Sequence, residues 1–270
     1  METIETRVGI IVDGDNRFFG RSAFTEWAAQ IKDPGDALLV ALGLRELTPM
    51  QREVARLVSL CLMSPDARVW PLKLTRLLAS HGDPLVGYFG GQLVSAGRLM
   101  GPGAGTGAAL GLVWVAGELG EDHSEVQVAA AVAGWRAKVG RFGGFGVPFR
   151  ELDERRVAVL RMAGEEIVAG RYWRLHEQVV RAMAPQRPNC ALTFAAMLLD
   201  AGVAAEEVGV AMAALMGYVF LAHALEAAKQ DGARLHTLPV ERVVYRGAPR
   251  RDSRDGRGEW VVPAGLRREE

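Results

Sequence analysis

The sequence has only two cysteines and no excess of either charge. Its 270 residues carry 32 basic and 32 acidic side chains, so the formal net charge is zero. A protein that coats nucleic acid needs an excess of Lys and Arg over phosphates, and this balance therefore argues against nucleic acid as a partner. Cys61 and Cys190 lie far apart in apolar stretches, which excludes a disulfide framework and an ordinary zinc site. We therefore expect no metal, no tightly bound cofactor and a reducing cytoplasm.

Met1–Arg7 has no basic region followed by an apolar stretch, so we do not expect it to be a secretory signal. Only one run, residues 208–225, is about long enough to cross a bilayer. The interior His223 and the lack of basic flanks favour a buried helix over a membrane span. A helix apolar on all sides exceeds what one core of this size needs, so the run also favours a homodimer.

Strands that alternate with helices are missing as well, which disfavours a dinucleotide-binding sheet and predicts an all-α protein. A short extended arm over residues 7–18 ends in the turn-forming Asp13-Gly-Asp-Asn. Thr48, Pro49 and Gln51 predict a capped helix start. Apolar spacing predicts further helices over residues 72–80, 84–100, 108–117, 124–139, 153–163, 171–184, 191–201 and 205–230.

Glycine clusters separate several of these helices, chiefly at residues 101–107 and 141–150. Glycines before a helix can cradle a phosphate, but the first cluster lacks the Lys-Ser/Thr pair and the preceding strand of a P-loop. We interpret it as a tight turn between closely packed helices. From about residue 235 to residue 270 the chain becomes a charged, arginine-rich tail, which is typical of a solvated or partner-contacting extension.

Five motifs in order give the chain a recognisable pattern. They are GPGAGTGAA (101–109), GFGVPFRELDERR (144–156), NCALTFAAMLLDAGV (189–203), YVFLAHALEAAKQ (218–230) and VERVVYRGAPRR (240–251). Together they resemble the citrate synthase superfamily, and most closely its short members of the citryl-CoA lyase type. The corresponding family motifs are GPLHGGA, GFGHPVYRxxDPR, NVDxxxAxLLxxLG, a helix ending in LAHxxEQ, and a YxGP tail.

The resemblance implies one all-α unit over residues 1–270, with a large helical region and a smaller one at about 140–215. It also implies an obligate homodimer whose active sites join or split an acyl-CoA and a 2-oxo acid. That chemistry needs a carboxylate base beside the thioester and histidines that stabilise the enolate and polarise the ketone. Arginines would then hold the carboxylates of the oxo acid.

The sequence departs from the family pattern at the acid–base positions. Ala104 and Ala191 align with the first histidine and with the catalytic aspartate. The second motif is one residue shorter, and Val147 follows where a histidine is expected. Met216 replaces an arginine that binds substrate. The resemblance therefore predicts that the usual catalytic groups are absent.

Some candidate binding residues remain. Arg155 aligns with a family arginine that binds the oxo-acid carboxylate, and Arg150 lies nearby in the same motif. The alternative interpretation is an ordinary charged helix start in which Asp153 is the cap. Arg246 and Arg250 are candidates for an arginine supplied to the neighbouring subunit, with a solvated tail as the other interpretation.

The glycine loop resembles the family segment that wraps the adenine and pantetheine of CoA, and its residues are Gly143, Gly144, Phe145 and Gly146. His81 is a weak candidate to replace a lost catalytic histidine. Cys190 has no activating neighbour in sequence and is predicted to be a small buried residue. His123, His176 and His236 are predicted to lie at the surface.

Three functions follow from these observations. The chain could be a divergent enzyme that binds an acyl-CoA or a polycarboxylate and performs altered C–C bond chemistry. It could be a catalytically inactive homologue that serves regulation or assembly, or a helical scaffold without a ligand. Loss of three acid–base groups favours an inactive homologue, whereas the retained loop and Arg155 favour ligand binding.

Overall fold

A computed structural model describes residues 4–63, 66–96, 101–120, 123–147, 151–230, 240–242, 244 and 246. The chain forms two compact units, Met1–Ala233 and Arg234–Glu270. The described part of the second unit contains one 3-10 turn, Val240–Arg242. All other elements belong to the first unit.

The predicted extended arm is a small antiparallel sheet. Its strands are β1 (Gly9–Val12), β2 (Asp15–Phe18) and β3 (Arg21–Ser22), paired in the order β1-β2-β3. Asp13 and Gly14 both have positive φ, +52° and +75°, as a two-residue hairpin turn with the native twist requires. A π-helical turn over Ala23–Trp27 follows the sheet.

The rest of the unit is helical, which confirms the predicted all-α class. The helices are α1 (Ala28–Gln30), α2 (Pro34–Ala41), α3 (Pro49–Leu62), α4 (Trp70–His81), α5 (Pro84–Ser95), α6 (Pro102–Glu118), α7 (Glu125–Val139), α8 (Glu154–Met162), α9 (Glu165–Val168), α10 (Arg171–Ala182), α11 (Cys190–Asp200), α12 (Val208–Leu215) and α13 (Gly217–Ala227). Thr48 and Gln51 form the predicted capping box of α3, with backbone-to-side-chain bonds of 3.2 and 2.9 Å.

The main core surrounds α11, of whose eleven residues ten are buried. Residues of α3, α6, α10 and α12 pack against it. Helices α4, α5 and α13 pack on one another and form two smaller clusters, around Phe220 and Ala224. The candidate site lies in the main core, at the start of α6 and of α11.

Helix α6 begins at Pro102, six residues before the predicted start at residue 108. The prediction that the first glycine cluster forms a turn between helices is therefore wrong for residues 102–107. Gly105 lies in the helix where α12 approaches it: a Cβ on Gly105 would lie 2.3 Å from the sulfur of Met212. A Cβ on Gly209 would in turn lie 2.6 Å from the carbonyl oxygen of Pro102. Close packing thus offsets the roughly 1 kcal/mol that a helical glycine costs relative to alanine.

The long apolar run is two helices rather than one. Helix α12 ends at Leu215 and α13 begins at Gly217, so the predicted single helix over residues 205–230 is interrupted at Met216. By length and composition alone, Val208–Ala227 could span a membrane, but half of its most apolar window is buried inside the protein. This burial agrees with the predicted core helix.

Candidate functional site

The glycine loop runs from Phe142 to Val147 and includes the four predicted CoA contacts, Gly143, Gly144, Phe145 and Gly146. It lies between the first turns of α6 and α11. A Cβ on Gly143 would lie 2.3 Å from the backbone nitrogen of Ala108 and 3.0 Å from the carbonyl oxygen of Ala104. A Cβ on Gly144, which has φ of +80°, would lie 2.5 Å from the Cβ of Leu192. Only glycine fits at both positions. The structure therefore brings together the first three motifs of the sequence.

Hydrogen bonds fix the loop to the residues that precede α11. The backbone N–H of Asn189 donates to the carbonyl oxygen of Gly144 at 2.9 Å, and that of Gly146 donates to Arg187 at 2.8 Å. The side-chain amide of Asn189 donates to Gly146 at 3.0 Å. Its side-chain oxygen accepts the N–H of Ala191 at 3.0 Å and caps α11. Asn189 thus determines the start of α11 and the path of the loop.

Asp153 links α8 to α11. Its side chain caps α8 by accepting the backbone N–H of Arg155 at 3.1 Å, which confirms the interpretation of Asp153 as a helix cap. It also accepts hydrogen bonds from Nε and Nη2 of Arg155, at 2.9 and 2.8 Å, and from the backbone N–H of Cys190, at 2.9 Å. The carboxylate is 2% exposed and the arginine side chain 33% exposed. This pair is the main electrostatic feature of the region.

Asp153 and Arg155 both stay charged near neutral pH. Burial alone would raise the pKa of Asp153, but hydrogen bonds from Arg155 and from the backbone and thiol of Cys190 lower the pKa to about 2. Burial opposes the charge of Arg155, but the hydrogen bond to Asp153 and the nearby charges together outweigh burial and raise the pKa of the guanidinium above its usual value. Asp153 is therefore a permanent anion and a poor general base near neutral pH.

The thiol of Cys190 is unsuited to nucleophilic catalysis. Cys190 is 4% exposed, as predicted for a small buried residue. Burial raises the pKa of its thiol well above the usual value, although the charge of Arg155 acts in the opposite sense. Since the thiolate is the reactive form, this residue packs rather than reacts.

Apolar side chains stand at the positions that the motif resemblance predicts for the acid–base groups and the substrate arginine. Ala104 lies in the first turn of α6, Val147 ends the glycine loop, and Ala191 is 6% exposed at the start of α11. Met216, at the junction of α12 and α13, packs against the main core and the Phe220 cluster. None of these four side chains can transfer a proton.

The four loop residues assigned to CoA have different surroundings. Gly143 and Gly144 are enclosed by α6 and α11, and the ring of Phe145 meets that of Phe142 edge to face at 6.0 Å between centroids. Gly146 is exposed, and a Cβ built on it would meet no atom within 4 Å. The close packing explains the first two glycines without a ligand, and Gly146 is the one that a ligand can reach.

The remaining candidates are His81, Arg150, Arg246 and Arg250. His81 is the exposed last residue of α4, a helix that packs on α5 and α13. Arg150 and Arg250 lie outside the described residues, and Arg246 is an exposed residue of the second unit. Their predicted roles stay predictions.

His176 corrects a sequence-based prediction. The sequence predicts a surface residue, but His176 is completely buried in α10, where Nδ1 bonds to the carbonyl oxygen of Trp173. Burial lowers its pKa to about 4 despite that bond, so the ring is neutral. The signal was present in the sequence, because His176 lies three residues from both Trp173 and Val179, on the apolar face of the helix.

Two cavities occur elsewhere in the described part of the molecule. One, of about 360 Å³, lies among α2, α3 and the α12–α13 junction, and the other, of about 740 Å³, lies along α4 and the end of α13. Neither is lined by α6, the glycine loop or α11. The described residues contain no group of three His, Cys, Asp or Glu that could hold a metal ion.

Comparison with solved structures identifies the fold. The chain superposes on citryl-CoA lyase from Hydrogenobacter thermophilus with a TM-score of 0.74 and 16% identity, over 93% of this chain and 97% of that one. It also superposes on ATP citrate lyase from Methanothrix soehngenii in complex with citrate and coenzyme A, with a TM-score of 0.70 and 14% identity. It superposes as well on a mutant ATP citrate lyase from Methanosaeta concilii in complex with (3S)-citryl-CoA, with a TM-score of 0.67 and 15% identity.

The two ATP citrate lyases are longer proteins. This chain is covered over 92% of its length in each case, but it spans only 42% of those chains. No protein-family model and no curated protein matches the sequence. The fold is therefore that of citryl-CoA lyase, as the motifs predicted, whereas the activity is a separate question.

Proposed function

We propose that the protein binds an acyl-CoA, a polycarboxylate or both where α6, the glycine loop and α11 meet, and that the C–C bond chemistry typical of this fold is altered or lost. The observation that carries the proposal is the convergence of the three motif segments at Gly143 and Gly144, which pack against the backbone of α6 and against Leu192 of α11. The path of the backbone favours a ligand site. The side chains of Ala104, Val147 and Ala191 disfavour family-like catalysis.

The argument against ordinary catalysis is chemical. Carbanion formation beside a thioester needs a base, and the oxyanion needs a donor. Alanine and valine supply neither. Among the described residues, the nearby ionisable side chains include Asp153, whose low pKa makes it a poor base, and Cys190 and Cys61, whose thiols burial keeps protonated by raising their pKa. If a reaction occurs, its mechanism differs from that of citrate synthases.

The proposed ligand contacts follow from exposure. The backbone of Gly146 is accessible to a CoA moiety, whereas Gly143 and Gly144 hold the loop in place. Two of the three guanidinium nitrogens of Arg155, Nε and Nη2, donate hydrogen bonds to Asp153. The third, Nη1, has no acceptor among the described residues. A ligand carboxylate or carbonyl would therefore bind at Nη1, with Arg150 as a proposed second contact.

A thermal-shift screen tests ligand binding without assuming a reaction. Coenzyme A, acetyl-CoA, citrate and oxaloacetate are added separately, and we expect at least one CoA species to raise Tm. Arg155→Lys should weaken a shift that depends on Nη1. Arg52→Lys is the matched control, because Arg52 pairs at 2.8 Å with Asp36, a carboxylate that is 1% exposed. An absence of any shift would refute binding, and equal shifts in both variants would refute the role of Arg155.

The proposed homodimer is supported by one helix face. Leu85, Val86, Phe89 and Leu93 of α5 are 58, 52, 57 and 77% exposed and follow helical spacing. A continuous apolar face of this kind is typical of a subunit interface. It also favours the alternative function, a catalytically inactive homologue that serves regulation or assembly.

We also propose a cytoplasmic location. The two cysteines support it, because both are free and buried, as in proteins of reducing compartments.

We further propose that residues at about 140–215 form the smaller helical region. The glycine loop, α8 and α11 lie within this range and include most residues of the proposed site.

A further inference from the structure

Strand β1 is an open edge of the small N-terminal sheet. The strands pair in the order β1-β2-β3, so β1 and β3 are the two edges. Strand β3 has only two residues and leads directly into the π-helical turn over Ala23–Trp27. Strand β1 is longer, and residues 8–12 read VGIIV, without the charged residue or proline that commonly blocks an edge strand. This edge is therefore suited to pairing with another strand.

The register of the sheet shows which backbone groups of β1 face outward. The backbone N–H of Phe19 donates to the carbonyl oxygen of Val8 at 2.7 Å, so these two residues form a hydrogen-bonded pair. Such pairs alternate along an antiparallel ladder, so the even-numbered residues of β1 direct their N–H and C=O groups toward β2. Gly9 and Ile11 direct theirs away from the sheet, and among the described residues these groups have no hydrogen bond.

The side chains along β1 indicate what kind of strand fits this edge. Val8, Ile10 and Ile11 are 52, 63 and 75% exposed, so a complementary strand is apolar. The exposed Arg7 precedes β1 and the exposed Asp13 follows it. An antiparallel strand therefore fits best if it has an acidic residue after its end and a basic residue before its start. Strand β1 itself meets all three requirements.

We propose that β1 pairs antiparallel with β1 of a second copy of this chain and joins two three-stranded sheets into one. With Ile10 on the two-fold axis, Gly9 of each copy exchanges backbone hydrogen bonds with Ile11 of the other. The same register brings Arg7 of each copy to Asp13 of the other. This contact is separate from the α5 face. Because it is small, it forms at concentrations well above micromolar.

Cysteine cross-linking tests both the pairing and its register. Opposite residues of a non-hydrogen-bonded pair lie about 4.5 Å apart at Cα, within disulfide range, so diamide should link Ile10→Cys chains in pairs. Ile11→Cys is the matched control, because Ile11 faces Gly9 and its own counterpart lies diagonally about 7–8 Å away. Cys61 and Cys190 are buried and do not compete. Equal cross-linking of the two variants, or none of Ile10→Cys, would overturn the inference.

Sedimentation equilibrium tests the pairing in the unmodified chain. Between about 5 and about 300 µM, the average mass should rise toward twice its low-concentration value, as expected for a small and weak interface. Ile10→Glu should abolish the rise, because it sets two carboxylates opposite each other, whereas Ile11→Glu should keep it. Both positions are exposed, and an unchanged Tm confirms that the variants fold.

Two results of this measurement would overturn the inference. One is an equal rise in mass for Ile10→Glu and the wild-type chain, which would place the contact elsewhere. The other is a wild-type mass that does not rise, which would leave the β1 edge to an extended segment of a different protein.

Discussion

The carboxylate of Asp153 accepts the backbone N–H of Cys190 at 2.9 Å, so a side chain that caps α8 also occupies the first N–H of α11. The same carboxylate binds Arg155 through two guanidinium nitrogens. One buried anion therefore holds two helix starts and one cation in a fixed arrangement. This arrangement stabilises the region, and it leaves Nη1 as the guanidinium nitrogen of Arg155 that does not bind Asp153.

Asp153→Asn should destabilise the protein by about 3–5 kcal/mol, because it leaves the guanidinium of Arg155 without its counter-charge. Urea unfolding followed by circular dichroism measures the change in the free energy of unfolding. Glu125→Gln is the control, since Glu125 and Arg181 form an exposed pair at 3.0 Å and should contribute at most about 1 kcal/mol. Similar losses in the two variants would contradict the assigned role of Asp153.

Gly143→Ala should cost about 2–3 kcal/mol of stability, because its Cβ would lie 2.3 Å from the backbone nitrogen of Ala108, which cannot move away as a flexible side chain could. Gly134→Ala, in the middle of α7, meets no atom within 4 Å and should stabilise by up to about 1 kcal/mol. Thermal unfolding of both variants checks the contrast. A harmless Gly143→Ala would show that α6 and the loop are not packed this closely.

Stability should fall as the pH drops below about 6.5, because His176 is kept neutral with a pKa of about 4. The unfolded chain takes up a proton near pH 6.5 and the folded chain does not, so the folded state loses about 2 kcal/mol between pH 7 and pH 5. This contribution is complete above pH 6.5 and lost as the pH approaches 4.

Chemical denaturation at pH 7 and pH 5 measures this difference. His176→Gln should flatten the dependence, whereas His123→Gln, which alters a partly exposed ring bonded to Gln178, should preserve it. A wild-type protein equally stable at both pH values would disprove the buried neutral state of His176. Below pH 4 a second loss is expected as Asp153, with its pKa of about 2, becomes protonated.

Size-exclusion chromatography with light scattering tests the homodimer. We expect a mass twice the 29.2 kDa of one chain at micromolar concentration. Phe89→Glu, in the centre of the exposed α5 face, should yield monomers, and Ile11→Glu, which is 75% exposed on β1, should not. A wild-type monomer would refute the dimer, and a dimeric Phe89→Glu variant would refute the α5 face as its interface.

Much of the fold was predictable because its signals are local. The capping residues of α3, the spacing of apolar residues and the order of the five motifs all depend on short stretches of sequence. Asp153 as a cap and Cys190 as a buried residue were predicted for the same reason. The match to citryl-CoA lyase confirms the fold that the motifs indicated.

The errors concern contacts between distant segments. The glycine cluster predicts a turn over residues 102–107, but the approach of Met212 requires glycine at position 105 within α6. The break at Met216 and the burial of His176 likewise depend on tertiary packing. The hydrogen bond from the backbone N–H of Cys190 to Asp153 joins residues 37 positions apart, and no local sequence pattern predicts it.

The most direct test of the account is an assay of C–C bond formation and cleavage. The purified protein is mixed at pH 7.5 with acetyl-CoA and oxaloacetate, where free CoA thiol reports condensation followed by hydrolysis, and separately with (3S)-citryl-CoA, where the oxaloacetate formed reports cleavage; both are measured against buffer alone. Without a base or histidines at Ala104, Val147 and Ala191, we predict no product above background in either mixture, although a CoA thioester raises Tm. Sustained turnover that is proportional to protein concentration would contradict the central claim, because it would require acid–base groups that this account places nowhere in the site.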